Sequence, residues 1–272
     1  MSEKQKSDET LPVLSTIPMS MLPGDVKYLK MVLRRIHDEN ELKEKLSSAQ
    51  KIISYINAPA TKSYLEKIVP NIEKPANPKF TIDSKKKQRF VTIGLKSRTQ
   101  QSGQQQDVSG FDDLSVFEVE VEPLDKMPEI PEKKEMQTDN RVTYMAALAV
   151  NSFPDDLDEV DAYLNVIKTE KELHEAVEGA EEFHDTGRHV PTQKYFDNVI
   201  GNKVKIKRTP GAQHKFDSDK ISVAIVGGLA GGVPVSPQQR GQDAPVNSIK
   251  DLSIARAIVV PKKKKPQKNK MR

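Results

Sequence analysis

The residue clusters whose types and spacing suit catalysis are few, and each lacks part of what its chemistry needs. Asp185-Thr186-Gly187 matches the tripeptide in which aspartic proteases carry their working carboxylate. There the aspartate follows an apolar strand. Here Glu181-Glu182-Phe183-His184 precedes it, and the pattern predicts the loop that ends an acidic helix. His184, Asp185 and His189, with Glu181 nearby, could ligate a metal or serve a hydrolase, but their spacing fits no ligand motif. Gly227-Gly228-Leu229-Ala230-Gly231-Gly232 invites a nucleotide-loop reading. A phosphate loop requires Lys-Ser/Thr after its last glycine, whereas Val233-Pro234 follows. Pro234 also blocks the helix start whose free N–H groups would face a phosphate. No Gly-x-Ser-x-Gly or His-Glu-x-x-His occurs, and the absence of cysteine removes disulfides, thiolate zinc sites and cysteine nucleophiles. The sequence predicts a non-enzymatic protein with no catalytic, cofactor-binding or metal-ligating residues.

The charge pattern carries more. Lys262, Lys263, Lys264, Lys265, Lys268, Lys270 and Arg272 cluster within 261–272 with no acid among them. The net charge is only +4, so the remaining chain is mildly acidic. A lysine run without an apolar face cannot fold alone. It attracts phosphate by long-range Coulomb forces and counterion release. The expected partners are nucleic acid or nucleoprotein, RNA first among them. A nuclear import receptor and the anionic leaflet of a membrane would read the same charges. A secondary basic face is expected from Lys85, Lys86, Lys87 and Arg89 with Lys203, Lys205, Lys207 and Arg208, provided their two strands are neighbours. Few aromatics are interleaved, so contact would be to nucleic-acid backbone rather than stacked bases. The stretch from Asp155 to Asp185 holds twelve acids and two lysines, and reads as a face for a protein partner or for the basic tail itself.

The elements that position these groups are predicted from apolar spacing. Apolar residues make up 36% of the 272-residue chain, with no tryptophan, so the core is thin and built from aliphatics. The expected fold class is α+β. Residues 1–23 form a flexible leader. Residues 24–70 form a helical hairpin or three-helix unit, because Val26, Leu29, Leu33 and Ile36, then Leu42, Leu46, Ala49, Ile53 and Ile56, repeat at helical steps. A β-rich body spans 79–260, with flexible segments at 96–110 and 123–140 and two or three inserted helices. One of these starts at Pro154-Asp155-Asp156 with Leu157, Val160, Leu164 and Ile167 on one face. Another opens at the capping box Thr169-Glu170-Lys171-Glu172. Residues 261–272 are a disordered basic tail, and no internal repeat is expected.

The polar first ten residues are no secretory signal, and no apolar run approaches the roughly 20 residues that span a bilayer. The protein is expected in the cytoplasm, the nucleus or both. Size, charge segregation and missing cysteines are broadly those of small viral structural proteins of the matrix or nucleocapsid-associated type, an analogy of composition that no motif supports. The expected function is a structural or interaction protein that grips an anionic target through its tail. The alternative is a cellular adaptor or nuclear regulatory factor whose tail is an import signal.

Overall fold

The computed structural model describes residues 10–17, 19, 22, 24–69, 71–75, 80–96, 108–129, 136–230 and 244–263. They form a single mixed sheet of eleven strands with four α-helices. The elements are β1 (Thr10–Leu14), β2 (Tyr28–Ile36), α1 (Glu39–Ser47), β3 (Lys51–Ser54), α2 (Pro59–Ile68), β4 (Gln88–Leu95) and β5 (Leu114–Leu124) in a first half. The second half comprises β6 (Gln137–Met145), β7 (Leu157–Ile167), α3 (Glu170–Ala176), β8 (Glu182–Asp185), α4 (Val190–Ile200), β9 (Lys205–Arg208), β10 (Lys220–Leu229) and β11 (Leu252–Lys263).

This overturns the expected helical N-terminal module. The chain enters through strands, and Val26 to Ile36 is extended rather than helical. Leu29, Met31 and Leu33 are fully buried on one face of β2 while Lys30, Val32 and Arg34 take the other, a period of two concealed by Val26, Leu29, Leu33 and Ile36 at steps of three and four. The predicted second helix is cut short. Asp38 caps α1 by accepting from the Glu41 N–H at 2.8 Å, and Lys51–Ser54 turns into β3. The helix predicted from Leu157 to Ile167 is strand β7, whose Val160, Ala162 and Leu164 are buried in the core while Glu159 and Asp161 form ion pairs on the opposite face. Residues 182–185, expected at a helix end, form β8. Pro261, Lys262 and Lys263 belong to β11 rather than to a disordered tail; residues 264–272 lie outside the described part, as do most of 96–110 and residues 130–135. The Thr169 capping box stands as predicted. The Thr169 hydroxyl accepts from the Glu172 N–H at 3.2 Å, and the Glu172 carboxylate accepts from the Thr169 N–H at 3.1 Å.

The strand order, β3-β1-β4-β5-β2-β7-β11-β10-β6-β8-β9, reads the same from both ends once β9 is set aside. β1 pairs in parallel with β3 and β4, as β6 does with β8 and β10. β5 lies antiparallel between β4 and β2, as β11 does between β10 and β7. Even β9 has a counterpart, since Glu73 bridges in parallel to Ile53 on β3. The described residues therefore fold as two structurally repeated halves, contrary to the expectation of no repeat. A pseudo-two-fold axis passes between Met31 and Ala162, which pair across β2 and β7, and between Ile17 and Leu148, which bridge each other.

Register then exposes the faint sequence echo. Ile36-His37-Asp38-Glu39-Asn40-Glu41-Leu42 corresponds to Ile167-Lys168-Thr169-Glu170-Lys171-Glu172-Leu173. Asp113-Leu114-Ser115 with Pro123 corresponds to Asp251-Leu252-Ser253 with Pro261. The Tyr64 hydroxyl donates to Glu39 at 2.6 Å, and the Tyr195 hydroxyl donates to Glu170 at 2.9 Å. The Asp113 carboxylate accepts from the Ser109 N–H at 2.8 Å, and Asp251 accepts from the Asn247 N–H at 2.9 Å.

Each half packs its helices on one face of the sheet. Leu42, Leu46 and Leu65 cover Val13, Val91 and Val116 in the first half. Leu173, Val177 and Phe196 cover Val142, Phe183 and Ile254 in the second. The other face is shared: Met31, Leu33 and Val119 join Val160, Ala162 and Ala257 in one core, closed by Ile17, Met19, Leu148, Val150 and Phe153 from the two β1–β2-type connectors. Those connectors pass so close that glycine is required beneath one of them. Gly227 has φ +138°, and a Cβ there would lie 2.0 Å from the Ser253 carbonyl oxygen and 3.0 Å from Met19. Gly227→Ala is expected to cost about 3 kcal/mol in chemical denaturation, whereas Gly228→Ala, with open space at the Cβ, is expected to cost much less.

Candidate interaction surface

Between the two helix pairs the central strands leave a face of the sheet uncovered by helices, and on it the charges form a ladder. Glu118, Arg34, Glu159 and Lys262 lie side by side across β5, β2, β7 and β11. Arg34 reaches Glu159 at 3.1 Å and Lys262 reaches Glu159 at 2.6 Å and Asp161 at 3.0 Å. Lys45 and Arg89 hold Glu118 at 2.7 and 3.2 Å, and Lys87 holds Glu120 at 2.7 Å. Opposite charges on facing strand positions stabilise a sheet by up to about 1 kcal/mol each. Burial pushes the Glu159 carboxyl up, but Lys262 and Arg34 overcome it and hold the group below the usual carboxylate range. Burial works against the Lys262 ammonium too, and its two carboxylate partners raise it.

The basic residues singled out by sequence therefore divide. Lys262 is the root of the basic cluster, pinned to the sheet through Glu159 and Asp161. The backbone of Lys263 pairs with Leu157, and Lys264, Lys265, Lys268, Lys270 and Arg272 fall outside the described residues. The secondary basic face is not brought together. β4 and β9 have seven strands between them, so Lys85, Lys86, Lys87 and Arg89 are remote from Lys203, Lys205, Lys207 and Arg208. Half of these charges are also neutralised locally: Lys207 pairs with Glu182 at 2.6 Å and Arg208 with Asp197 at 2.5 Å, while Lys87 and Arg89 belong to the ladder. Among the described residues Lys85, Lys86, Lys203 and Lys205 are exposed without an ion-pair partner. The acids of 155–185 are likewise dispersed, to the ladder, to the cap of α3 and to β8.

The catalytic candidates do not converge. Asp185 is fully buried at the end of β8. It accepts from the Gly187 N–H at 2.9 Å and stands 3.6 Å from the Arg208 guanidinium. Burial raises its carboxyl. His184, the preceding strand residue, turns to the opposite face and meets Glu182 at 2.9 Å. Lys207 and His184 together pull the Glu182 carboxyl down to about 2. His189 caps α4 against Thr192. No cluster of three metal-ligating side chains occurs among the described residues. A cavity of about 400 Å³ does open beside this strand end, lined by Thr186, Gly187, Arg188, Gln213 and His214. Two of its polar side chains are engaged: Thr186 donates to the Tyr144 carbonyl at 2.7 Å and Gln213 donates to the Asn151 carbonyl at 3.1 Å.

His214 packs edge-on to Phe216 at 4.7 Å, and burial, with Arg141 adding to it, lowers its pKa to about 4. The folded chain therefore keeps this imidazole neutral where the unfolded chain, titrating near about 6.5, would charge it. Stability from this group is present above about 6.5 and is lost as pH falls toward about 4. Between pH 7 and 5 the wild type is expected to lose about 1–2 kcal/mol more than His214→Gln in denaturant titrations.

No helix of the described residues is long and apolar enough to cross a membrane. No protein-family model matches the chain, and no curated protein matches it. Sequence reasoning missed the ladder because its members are scattered from Arg34 to Lys262; the one signal present is the alternation of Glu118, Glu120 and Glu122 with the buried Val119 and Val121, which marks an acidic strand but not its cationic neighbours.

Proposed function

We propose that this chain is a non-enzymatic binding protein whose grip is the basic segment issuing from β11, and that its target is an anionic polymer, RNA foremost. The observation that carries this reading is the contrast between body and segment. The body neutralises its central cations in a ladder of carboxylates. Residues 264–272 add Lys264, Lys265, Lys268, Lys270 and Arg272 with no acid. Lys262 anchors the root of that segment to Glu159 and Asp161 in the middle of the sheet, so the load on the segment is borne by a central strand rather than an edge. Electrostatic binding of this kind is sequence-tolerant and salt-sensitive.

The test is a titration of the full chain against single-stranded RNA, duplex DNA and phosphatidylserine vesicles at one salt concentration. RNA is expected to bind, and replacing Lys85, Lys86, Lys203 and Lys205 with Gln is expected to change its affinity less than replacing the five cations of 264–272. Binding to vesicles alone would reassign the target to a membrane surface. Binding to none of the three, with nuclear accumulation lost when the segment is replaced, would leave the import-signal alternative.

A further inference from the structure

The structural repeat makes one asymmetry readable. By strand register Glu118 of β5 corresponds to Arg256 of β11. Glu118 is buried at 7% exposure and is surrounded by cations: Arg89 on β4, Lys45 on α1 and Arg34 on the neighbouring β2 position. The residues that occupy those three places around Arg256 are Val223, Ala176 and Asn165. The acid has become a base, and none of its neighbours has become an acid. The result is a half-buried arginine beside the helix-covered Ile254 and Ile225, with Ile258 on its other side along the strand; its Nε is enclosed while its terminal nitrogens reach the uncovered part of the sheet face.

Among the described residues Arg256 has neither a hydrogen bond nor an ion pair. Its Nε is buried without an acceptor, and so is Oδ1 of the facing Asn165 without a donor. Burial lowers the Arg256 pKa with no carboxylate opposing it. Burying Nε without an acceptor costs free energy, and a ligand oxygen that reached it would recover that cost. Asn165 alone cannot satisfy the site, because one amide oxygen faces five guanidinium N–H groups.

We propose that Arg256 and Asn165 form a binding site for a phosphate-type oxyanion on the uncovered face of the sheet, separate from the basic segment. A guanidinium fork takes two oxygens of such an anion in parallel. The apolar walls exclude competing water and strengthen the contact. Inorganic phosphate is a mixture of its monoanion and dianion near neutrality, and both forms carry a proton. It can therefore accept from Arg256 and donate to Asn165 together, which sulfate and carboxylate cannot.

The test is thermal melting and isothermal titration of the full chain with inorganic phosphate at pH 6.5, with sulfate at equal ionic strength beside it. Phosphate is expected to raise the melting temperature more than sulfate does. Arg256→Met is expected to lower phosphate affinity at least about tenfold and, without phosphate, to melt at or above the wild-type temperature, since an apolar side chain replaces a lone charge. Arg256→Lys, which keeps the charge but not the fork, is expected to fall between. A chain with Lys264, Lys265, Lys268, Lys270 and Arg272 changed to Gln is expected to bind phosphate as the wild type does. The proposal is overturned if Arg256→Met binds phosphate normally, or if it melts well below the wild type and so shows a structural role. It is overturned equally if sulfate matches phosphate, or if the response disappears with the basic segment.

Discussion

Arg35→Ala is expected to lower the free energy of unfolding by about 4 kcal/mol, the largest loss from any single polar side chain here. Arg35 stands in β2 of the first half, at 8% exposure, yet its two main-chain acceptors belong to the second. Its Nε donates to the Leu157 carbonyl at 2.8 Å, and a terminal nitrogen donates to the Pro154 carbonyl at 2.7 Å. The guanidinium lies 4.5 Å from the centre of the Phe117 ring, a cation–π contact within the shared core. The Asp155 carboxylate at 3.4 Å contributes little, because it is 73% exposed. Truncation removes both bonds, leaving the Pro154 carbonyl with only the Leu157 N–H as donor, at about 1–3 kcal/mol per lost bond, and opens a void beside Phe117. Burial depresses the Arg35 pKa while Asp155, Asp158 and Asp156 oppose it, so the group stays charged in the folded chain. Arg35→Lys is expected to recover less than half of the loss, since one ammonium cannot span both carbonyls in the fork geometry. Denaturant titration at unchanged slope is the measurement; a loss under about 1 kcal/mol would mean the halves are held together without this side chain.

The second large effect concerns affinity. Replacing Lys264, Lys265, Lys268, Lys270 and Arg272 with Gln is expected to weaken RNA binding by two to three orders of magnitude near 0.1 M salt, on the order of what the loss of five phosphate contacts removes. Folding stability is expected to be unchanged, because β11 ends at Lys263 and its last described ion pairs are those of Lys262. Lys262→Met should act in the opposite sense to the five. It leaves Glu159 and Asp161 short of their cation and so lowers stability by about 1 kcal/mol, with a smaller effect on RNA.

How much of this was legible in the sequence depended on where each residue's neighbours came from. The α3 capping box was legible because its partners are three residues apart. β2 and β7 were misread as helices because both faces of a central strand are occupied. Apolar residues fill one, and the other carries charges whose partners lie on different strands, so a strict alternation never shows. The repeat escaped for a related reason. Its identities are confined to caps and strand starts such as Asp113-Leu114-Ser115 and Asp251-Leu252-Ser253, while core positions vary freely among apolar types, Met31 against Ala162 for example. Of the candidate sites, the basic cluster was visible as composition. The isolation of Arg256 was not, because it is defined by three neutral residues from three other elements.

The salt dependence of RNA binding tests the central claim most directly. If the five cations of 264–272 make the phosphate contacts, the logarithm of the affinity should fall against the logarithm of salt with a slope of about −3.5 for single-stranded RNA. The chain lacking those five cations should then give a slope near zero. Equal slopes for the two proteins would place the contacts on the folded body and contradict the account.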